Sequence, residues 1–331
     1  MKKTILVTGG GGFVGKALIK KLIEKEYSIK SLSRKRYAEL EELGVITCQG
    51  DLGGEYEQLK DYFKDVYAVF HVASKVDMWG KYEDFYKTNI IGTQNIIRAC
   101  KENNIKYLIY TSSPSVIAND NGLENVNETF PYPEKYDAFY PQTKAVAEKL
   151  IVKTGKEAKE NSTCPLTIVL RPHLIWGPGD RNFIPTILEK AREGKLKQIG
   201  DGENIVDFSY IDDCVDAHIL ALEALEKNES LSSNIYFVTQ DEHMKLWDFI
   251  NKILETFGEK PITKKVPKGL ALFIASILEI ISKVIPVVKP LFTRFLIVEM
   301  TTHHYFDITS TKRDLGYKPK VSMEEGFKRI L

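Results

Sequence analysis

Tyr140 and Lys144 lie four residues apart in Tyr140-Pro141-Gln142-Thr143-Lys144, just ahead of the apolar positions Ala147 and Leu150. On a helix that separation puts both side chains on one face, and Pro141 is tolerated in a first turn. A phenol titrates near 10 in water, so at neutrality it is a slow acid or base, and an adjacent ammonium favours the phenolate by its charge. Upstream, Tyr110-Thr111-Ser112-Ser113 closes a strand-like run. It offers the hydroxyl of Ser113, with Ser112 beside it, as a hydrogen-bond partner for a carbonyl oxygen. Together these residue types suit proton transfer at a carbonyl or carbinol. A Tyr-x-x-x-Lys pair also arises by chance as a surface tyrosine beside a solvated lysine, so the reading needs a partner that moves electrons.

Near the N-terminus the apolar Ile5-Leu6-Val7 runs into Thr8-Gly9-Gly10-Gly11-Gly12-Phe13-Val14-Gly15, followed by Ala17, Leu18, Ile19, Leu22 and Ile23 on a helical period. Strand, glycine turn and helix in that order form a dinucleotide fingerprint. Gly9 and Gly10 permit the tight turn, Gly12 lets backbone N–H groups approach a pyrophosphate, and Gly15 lets the helix lie close to the strand. The helix N-terminus then faces the anion, so Gly9, Gly12, Phe13, Val14 and Gly15 are expected to contact the cofactor.

Cofactor choice turns on the end of the second strand, where an acid suits a ribose 2′-hydroxyl and an arginine suits a 2′-phosphate. The chain has Ser33-Arg34-Lys35-Arg36 there and no carboxylate. NADP(H) is therefore favoured through Ser33 and Arg34, with NAD(H) still admissible; a solvated basic turn would explain the same residues without a ligand. Asp51, with Leu52, follows the third strand and could bind the adenine amino group, although an ordinary polar turn has the same spacing.

Strand-like runs at 5–8, 29–33, 45–49, 68–72, 107–111 and 167–171 alternate with amphipathic stretches. This pattern predicts an α/β fold, a Rossmann-type doubly wound parallel sheet whose ligands sit beyond the carboxyl ends of the strands. After residue 178 helical patterns lengthen, with strand-like runs only at 205–211 and 235–238. We therefore expect a dinucleotide-binding domain over 1–177 that carries the catalytic residues. A smaller, mostly helical substrate lobe is expected over 178–331, with parts of it crossing back to the sheet.

The 331 residues are 43% hydrophobic and carry a net charge of +1, which excludes disorder and gives no field for nucleic acid. Cys48, Cys100, Cys164 and Cys214 are far apart, without zinc spacing or a paired framework, so no metal is expected and a reducing compartment is. Met1-Lys2-Lys3 leads straight into the first strand, so a cytoplasmic protein without a signal peptide is expected.

The chain resembles the extended short-chain dehydrogenase/reductase superfamily along essentially its whole length. Thr8 to Gly15, Gly50-Asp51-Leu52, His71-Val72-Ala73-Ser74, Asn89 with Gly92-Thr93, Tyr110 to Val116, Tyr140 to Lys144 and Arg171-Pro172 fall in family order. The resemblance implies a catalytic triad of Ser113, Tyr140 and Lys144, with Tyr140 passing the proton and Lys144 contacting the nicotinamide ribose. It also implies that Ala73, Ser74 and Pro172 border the cofactor, and that the enzyme is a homodimer. His71 reads as a packed strand residue and Asn89 as an organiser of nearby backbone. Within the superfamily the chain is similar to the 3β-hydroxysteroid dehydrogenase-like branch. Val76-Asp77-Met78-Trp79-Gly80, Ser113-Pro114-Ser115-Val116, Leu170 to Asp180, Thr293-Arg294-Phe295 and Asp314-Leu315-Gly316-Tyr317 look like the bacterial 2-alkyl-3-oxoalkanoate reductases of olefin biosynthesis. That likeness implies NADPH-dependent reduction of a long-chain 2-alkyl-3-keto acid, a hydrophobic small molecule. Steroid or sterol-4-carboxylate 3-dehydrogenation is the alternative within the branch, and nucleotide-sugar epimerase or dehydratase chemistry the alternative outside it.

The run 270–285 is apolar around most of its circumference, with Ser276, Glu279 and Lys283 on one narrow stripe, and Pro286 and Pro290 follow. It is too short to span a bilayer. Three readings stay open: a buried core helix, a lid that lines an alkyl pocket with Phe292, Phe295 and Leu296, or an interfacial helix. The last would bring peripheral membrane contact; a multienzyme assembly is a further expectation for a chain of this kind.

Overall fold

The computed structural model describes residues 2–285, 289–290 and 292–331; Pro286 lies outside them. Seven parallel strands form the main sheet: β1 (Thr4–Thr8), β2 (Ser28–Ser33), β3 (Ile46–Gln49), β4 (Ala68–His71), β5 (Tyr107–Thr111), β6 (Leu166–Pro172) and β7 (Asn234–Val238). Their spatial order is β7-β6-β5-β4-β1-β2-β3, which reverses direction between β1 and β4. That switch point opens a crevice at the carboxyl ends of the two strands.

The central strands β1, β4, β5 and β6 are buried on both faces because helices cover both. Ile5 and Val7 of β1 point into one core with Leu18, Ile19 and Leu22 of α1 (Phe13–Glu24). Leu6 between them points into the other core with Val69, Leu108 and Ile96, the last on α2 (Gly92–Glu102). The long α3 (Phe139–Glu157) packs against β6, and α4 (Ile211–Lys227) against α1.

The run 205–211, expected as one strand, is two short strands, Ile205–Val206 and Ser209–Tyr210, in different sheets. Asp207 ends the first: its buried carboxylate accepts from the Phe306 amide at 2.9 Å and pairs with His243 Nδ1 at 2.7 Å. The pieces join strands that the sequence pattern did not show. A four-stranded sheet links Leu123–Val126 from the first half of the chain to His304–Phe306 near its end.

The run 270–285 lies in α5 (Lys268–Val284), followed by α6 (Arg294–Glu299). The buried-core reading of this helix fails. Only Ala271, Ala275 and Ser282 are buried in it, and they are among its smallest side chains. Most of its bulky residues face away from the small cluster of Ala271, Ala275 and Ile297, against which Leu272 of the same helix packs with Phe292, Ile199 and Val266.

Candidate active site

Gly9 sits at φ 72°, and a Cβ there would lie 2.9 Å from the Ala73 Cα. At Gly15 a Cβ would meet the Gly9 carbonyl oxygen at 2.3 Å, so α1 can lie this close to the loop only without a side chain. Thr8 ties the two sides of the crevice together. Its hydroxyl accepts from the Val72 and Ala73 amides, both at 3.1 Å, and pairs with His71 Nδ1 at 2.9 Å. His71 Nε2 bonds Thr93 Oγ1 at 3.0 Å, and burial lowers the imidazole pKa to about 3, so His71 is a neutral packed residue.

The N-terminus of α1 has no side-chain cap at Gly12 and no acid in its first turn. The amides opened by Phe13, Val14 and Gly15 are thus left for an anion. A pyrophosphate fits this cradle, and a Cβ at Gly9 or Gly15 would push the loop that forms it off Ala73 or off α1.

Arg34 is exposed past β2 and in no ion pair among the described residues; its carbonyl accepts from Gln49 Nε2 at 3.2 Å. The Ser33 carbonyl accepts from the Gly50 amide at 3.0 Å. Asp51 is turned into its own loop, where Oδ1 accepts from the Gly53 amide at 3.1 Å and Oδ2 lies 3.5 Å from Lys87 Nζ, while Leu52 is buried. Tyr37, which the sequence did not single out, lays its ring against Gly11.

Ser113 leaves the end of β5 and caps a short 3₁₀ turn, Pro114–Ile117, with Oγ accepting from the Ser115 amide at 3.2 Å. Tyr140 is in the first turn of α3 and Lys144 one turn on. Burial pushes the Tyr140 phenol up; the nearby Ser113 and Ser115 hydroxyls oppose that, and the negative charge of Glu299 adds to it. Ser112 Oγ and Ser115 Oγ are both buried without a hydrogen-bond partner among the described residues. Ser115 and Glu299 escaped the sequence reading. Only the turn after Pro114 brings Ser115 round to the phenol, and Glu299 arrives from α6.

Lys144 is 1% exposed, donates to the Thr111 carbonyl at 2.6 Å and lies 4.2 Å from the Tyr110 ring centre. Burial lowers its pKa to about 7, partly offset by Glu148. Glu148 is itself buried, held by Arg171 Nε at 3.1 Å and Nη2 at 2.5 Å and by the Tyr132 hydroxyl at 2.6 Å. This buried pair pins α3 to β6. Asn89 lies in a π-helical stretch, Tyr86–Ile91, a distortion that often marks functional sites. Its Oδ1 accepts from the Lys75 amide at 2.8 Å and the Ser74 hydroxyl at 3.1 Å. Pro172 is the last residue of β6, at the carboxyl end of the sheet.

Residues 6–267 match the model of the 3-beta hydroxysteroid dehydrogenase/isomerase family. The chain is 39% identical over 327 residues to the 2-alkyl-3-oxoalkanoate reductase of Shewanella oneidensis, covering 98% of this chain and 84% of that protein. It is 32% identical to the decarboxylating sterol-4-alpha-carboxylate 3-dehydrogenase of Mus musculus, covering 99% of this chain and 90% of that one. In fold it resembles the UDP-glucuronic acid 4-epimerase of Bacillus cereus in complex with NAD, at a TM-score of 0.74 and 21% identity, over 99% of this chain and 97% of that one. The chain belongs to the 3-beta hydroxysteroid dehydrogenase/isomerase family and is an NAD(P)-dependent oxidoreductase.

Proposed function

We propose that this enzyme reduces the 3-keto group of a long-chain 2-alkyl-3-oxoalkanoate to the 3-hydroxy acid, using NADPH. The observation that carries the reading is the half-buried Tyr140 phenol in the first turn of α3, close to the Ser113 and Ser115 hydroxyls, with Lys144 one helical turn away. The near full-length likeness to the Shewanella oneidensis reductase supports the substrate class. Bound in the glycine cradle, the dinucleotide supplies a hydride to the carbonyl carbon. Ser113 donates a hydrogen bond to the carbonyl oxygen and Tyr140 delivers the proton that completes the alcohol. A phenol raised by burial keeps its proton at neutral pH, as the reductive direction requires. Lys144, one helical turn on from the tyrosine, would hold the nicotinamide ribose through its amino group. Arg34, with no carboxylate pairing it among the described residues, supports the 2′-phosphate of NADPH over the bare hydroxyl of NADH.

A second reading is oxidation of a sterol-4-carboxylate at its 3-hydroxyl, favoured by the likeness to the Mus musculus dehydrogenase over 99% of this chain. Both substrates place a carboxylate one carbon away from the reacting centre. The discriminating experiment follows cofactor absorbance with 2-alkyl-3-keto acids and 2-alkyl-3-hydroxy acids of graded chain length, 3β-hydroxysteroids with and without a 4-carboxylate, and nucleotide sugars. The proposal expects catalytic efficiency to rise with alkyl length, by up to about fourfold per buried methylene until the site is full. Sterols that outperform every two-chain acid would give the second reading. Turnover of a nucleotide sugar with a flat alkyl series would remove both.

A further inference from the structure

Helix α5 is the most apolar helix of the chain, yet it turns its large residues outward. Leu270 (51% exposed), Phe273 (64%), Ile277 (42%), Ile280 (61%) and Val284 (75%) recur at three- and four-residue steps, with Ile274 and Ile281 beside them. At 100° per residue this is one stripe, an arc of about 120° with no polar side chain in it. The opposite face meets α6 through a satellite core in which only Ala271, Ala275 and Ile297 are buried. A solitary exposed leucine needs no explanation, whereas a continuous stripe marks a contact surface.

Charge decides what the surface meets. Residues 260–298 hold seven of the chain's 46 basic residues and one of its 45 acidic ones, so the rest of the chain is net negative. Lys264, Lys265 and Lys268 stand at the N-terminal end of the stripe, and Lys283, Lys289 and Arg294 at the other. None of them is in an ion pair among the described residues. The lone acid, Glu279, is turned away, its carboxylate accepting from the Arg294 amide at 2.7 Å. A second copy of the helix laid on this stripe would bring cations against cations in either orientation. An anionic surface with an apolar interior satisfies both the ends and the middle.

We infer that α5 docks the enzyme peripherally on an anionic lipid bilayer, its Phe273–Ile280 stripe in the acyl boundary and its lysines among the headgroups. Among the described residues no helix is long and apolar enough to cross a membrane, so the contact is interfacial. The inference stands apart from the substrate assignment, because its test needs no turnover.

The test is co-sedimentation of the purified full chain with sucrose-loaded vesicles, either pure phosphatidylcholine or phosphatidylcholine with about one third phosphatidylglycerol. The expected result is binding at least about tenfold stronger to the anionic vesicles, weakened by high salt. Phe273→Glu with Ile280→Glu should abolish it, and Lys264→Gln with Lys265→Gln should weaken it by about fivefold per lysine. All four positions are exposed or edge positions, and a thermal melt matching the parent shows that the fold is kept. No binding to anionic vesicles, or binding indifferent to the Glu pair, overturns the inference. So does a vesicle-free parent dimer, read by light scattering, that the Glu pair converts to monomer, because a second copy then covers the stripe.

Discussion

Asn89 Nδ2 donates to Thr143 Oγ1 at 3.0 Å and to the Lys75 carbonyl at 3.1 Å, so one amide joins the loop after β4 to the turn of α3 between Tyr140 and Lys144. Thr143 passes the restraint on by donating to the Phe139 carbonyl at 2.8 Å. The cofactor side and the proton-transfer side of the crevice thereby move together. Asn89→Ala breaks this tie and leaves buried groups unpaired, a cost of about 1–3 kcal/mol for each unsatisfied group. The expected outcome is a lower kcat with a smaller change in the substrate KM, together with a reduced melting temperature. A melting temperature that falls while kcat holds would make Asn89 structural only.

Tyr140→Phe removes the hydroxyl and little else. Turnover should fall by about 10² to 10⁴-fold while cofactor affinity, read by titration, stays within a few-fold of the parent. Activity within about threefold of the parent would show that another group is the acid. Ser113→Ala and Ser115→Ala separate the two hydroxyls at the phenol. Ser113→Ala should lose rate, and Ser115→Ala should shift the pH dependence of the oxidative direction upward, because a nearby hydroxyl that favours the phenolate is gone.

Arg34→Ala tests the cofactor. A charge-assisted phosphate contact is worth roughly 1.5 to 3 kcal/mol, so the variant should lose about tenfold to a hundredfold in kcat/KM for NADPH and little for NADH. Equal kinetics with both cofactors in the parent would return Ser33 and Arg34 to a plain basic turn.

The legible part of this site is the part that is contiguous in sequence. β1, the glycine loop and α1 follow one another without interruption, so periodicity and residue type located this strand, turn and helix, and the four-residue spacing put Tyr140 and Lys144 one turn apart on α3. Ser115, Tyr37 and Glu299 were invisible for the opposite reason. Each reaches the crevice through a turn or a tertiary approach whose geometry no local pattern encodes. The same limit hid the Leu123–Val126 and His304–Phe306 pairing, in which strands too short for a clear alternation find each other across most of the chain. In 270–285 the composition showed an apolar helix but not its facing, because facing depends on how little partner surface α6 provides.

Lys144 links the site to stability. Its pKa is lowered from 10.5 to about 7, first of all by burial, in a residue 1% exposed. Below pH 7 the folded state holds a buried ammonium and bears the full desolvation cost. Between about 7 and 10.5 the unfolded chain keeps a proton that the folded chain has released, so folding stability rises with pH across that window. The displacement corresponds to roughly 5 kcal/mol at most. Lys144→Met removes this dependence and leaves the Thr111 carbonyl without its donor, a loss of about 1 kcal/mol at every pH. Relative to the parent, the variant should gain a few kcal/mol at pH 6 and gain nothing, or lose slightly, at pH 10. Urea unfolding at the two pH values measures the difference. Parallel pH curves for variant and parent would mean that Lys144 is not the buried titrating group, and its ammonium would then be solvated well enough to keep an ordinary pKa.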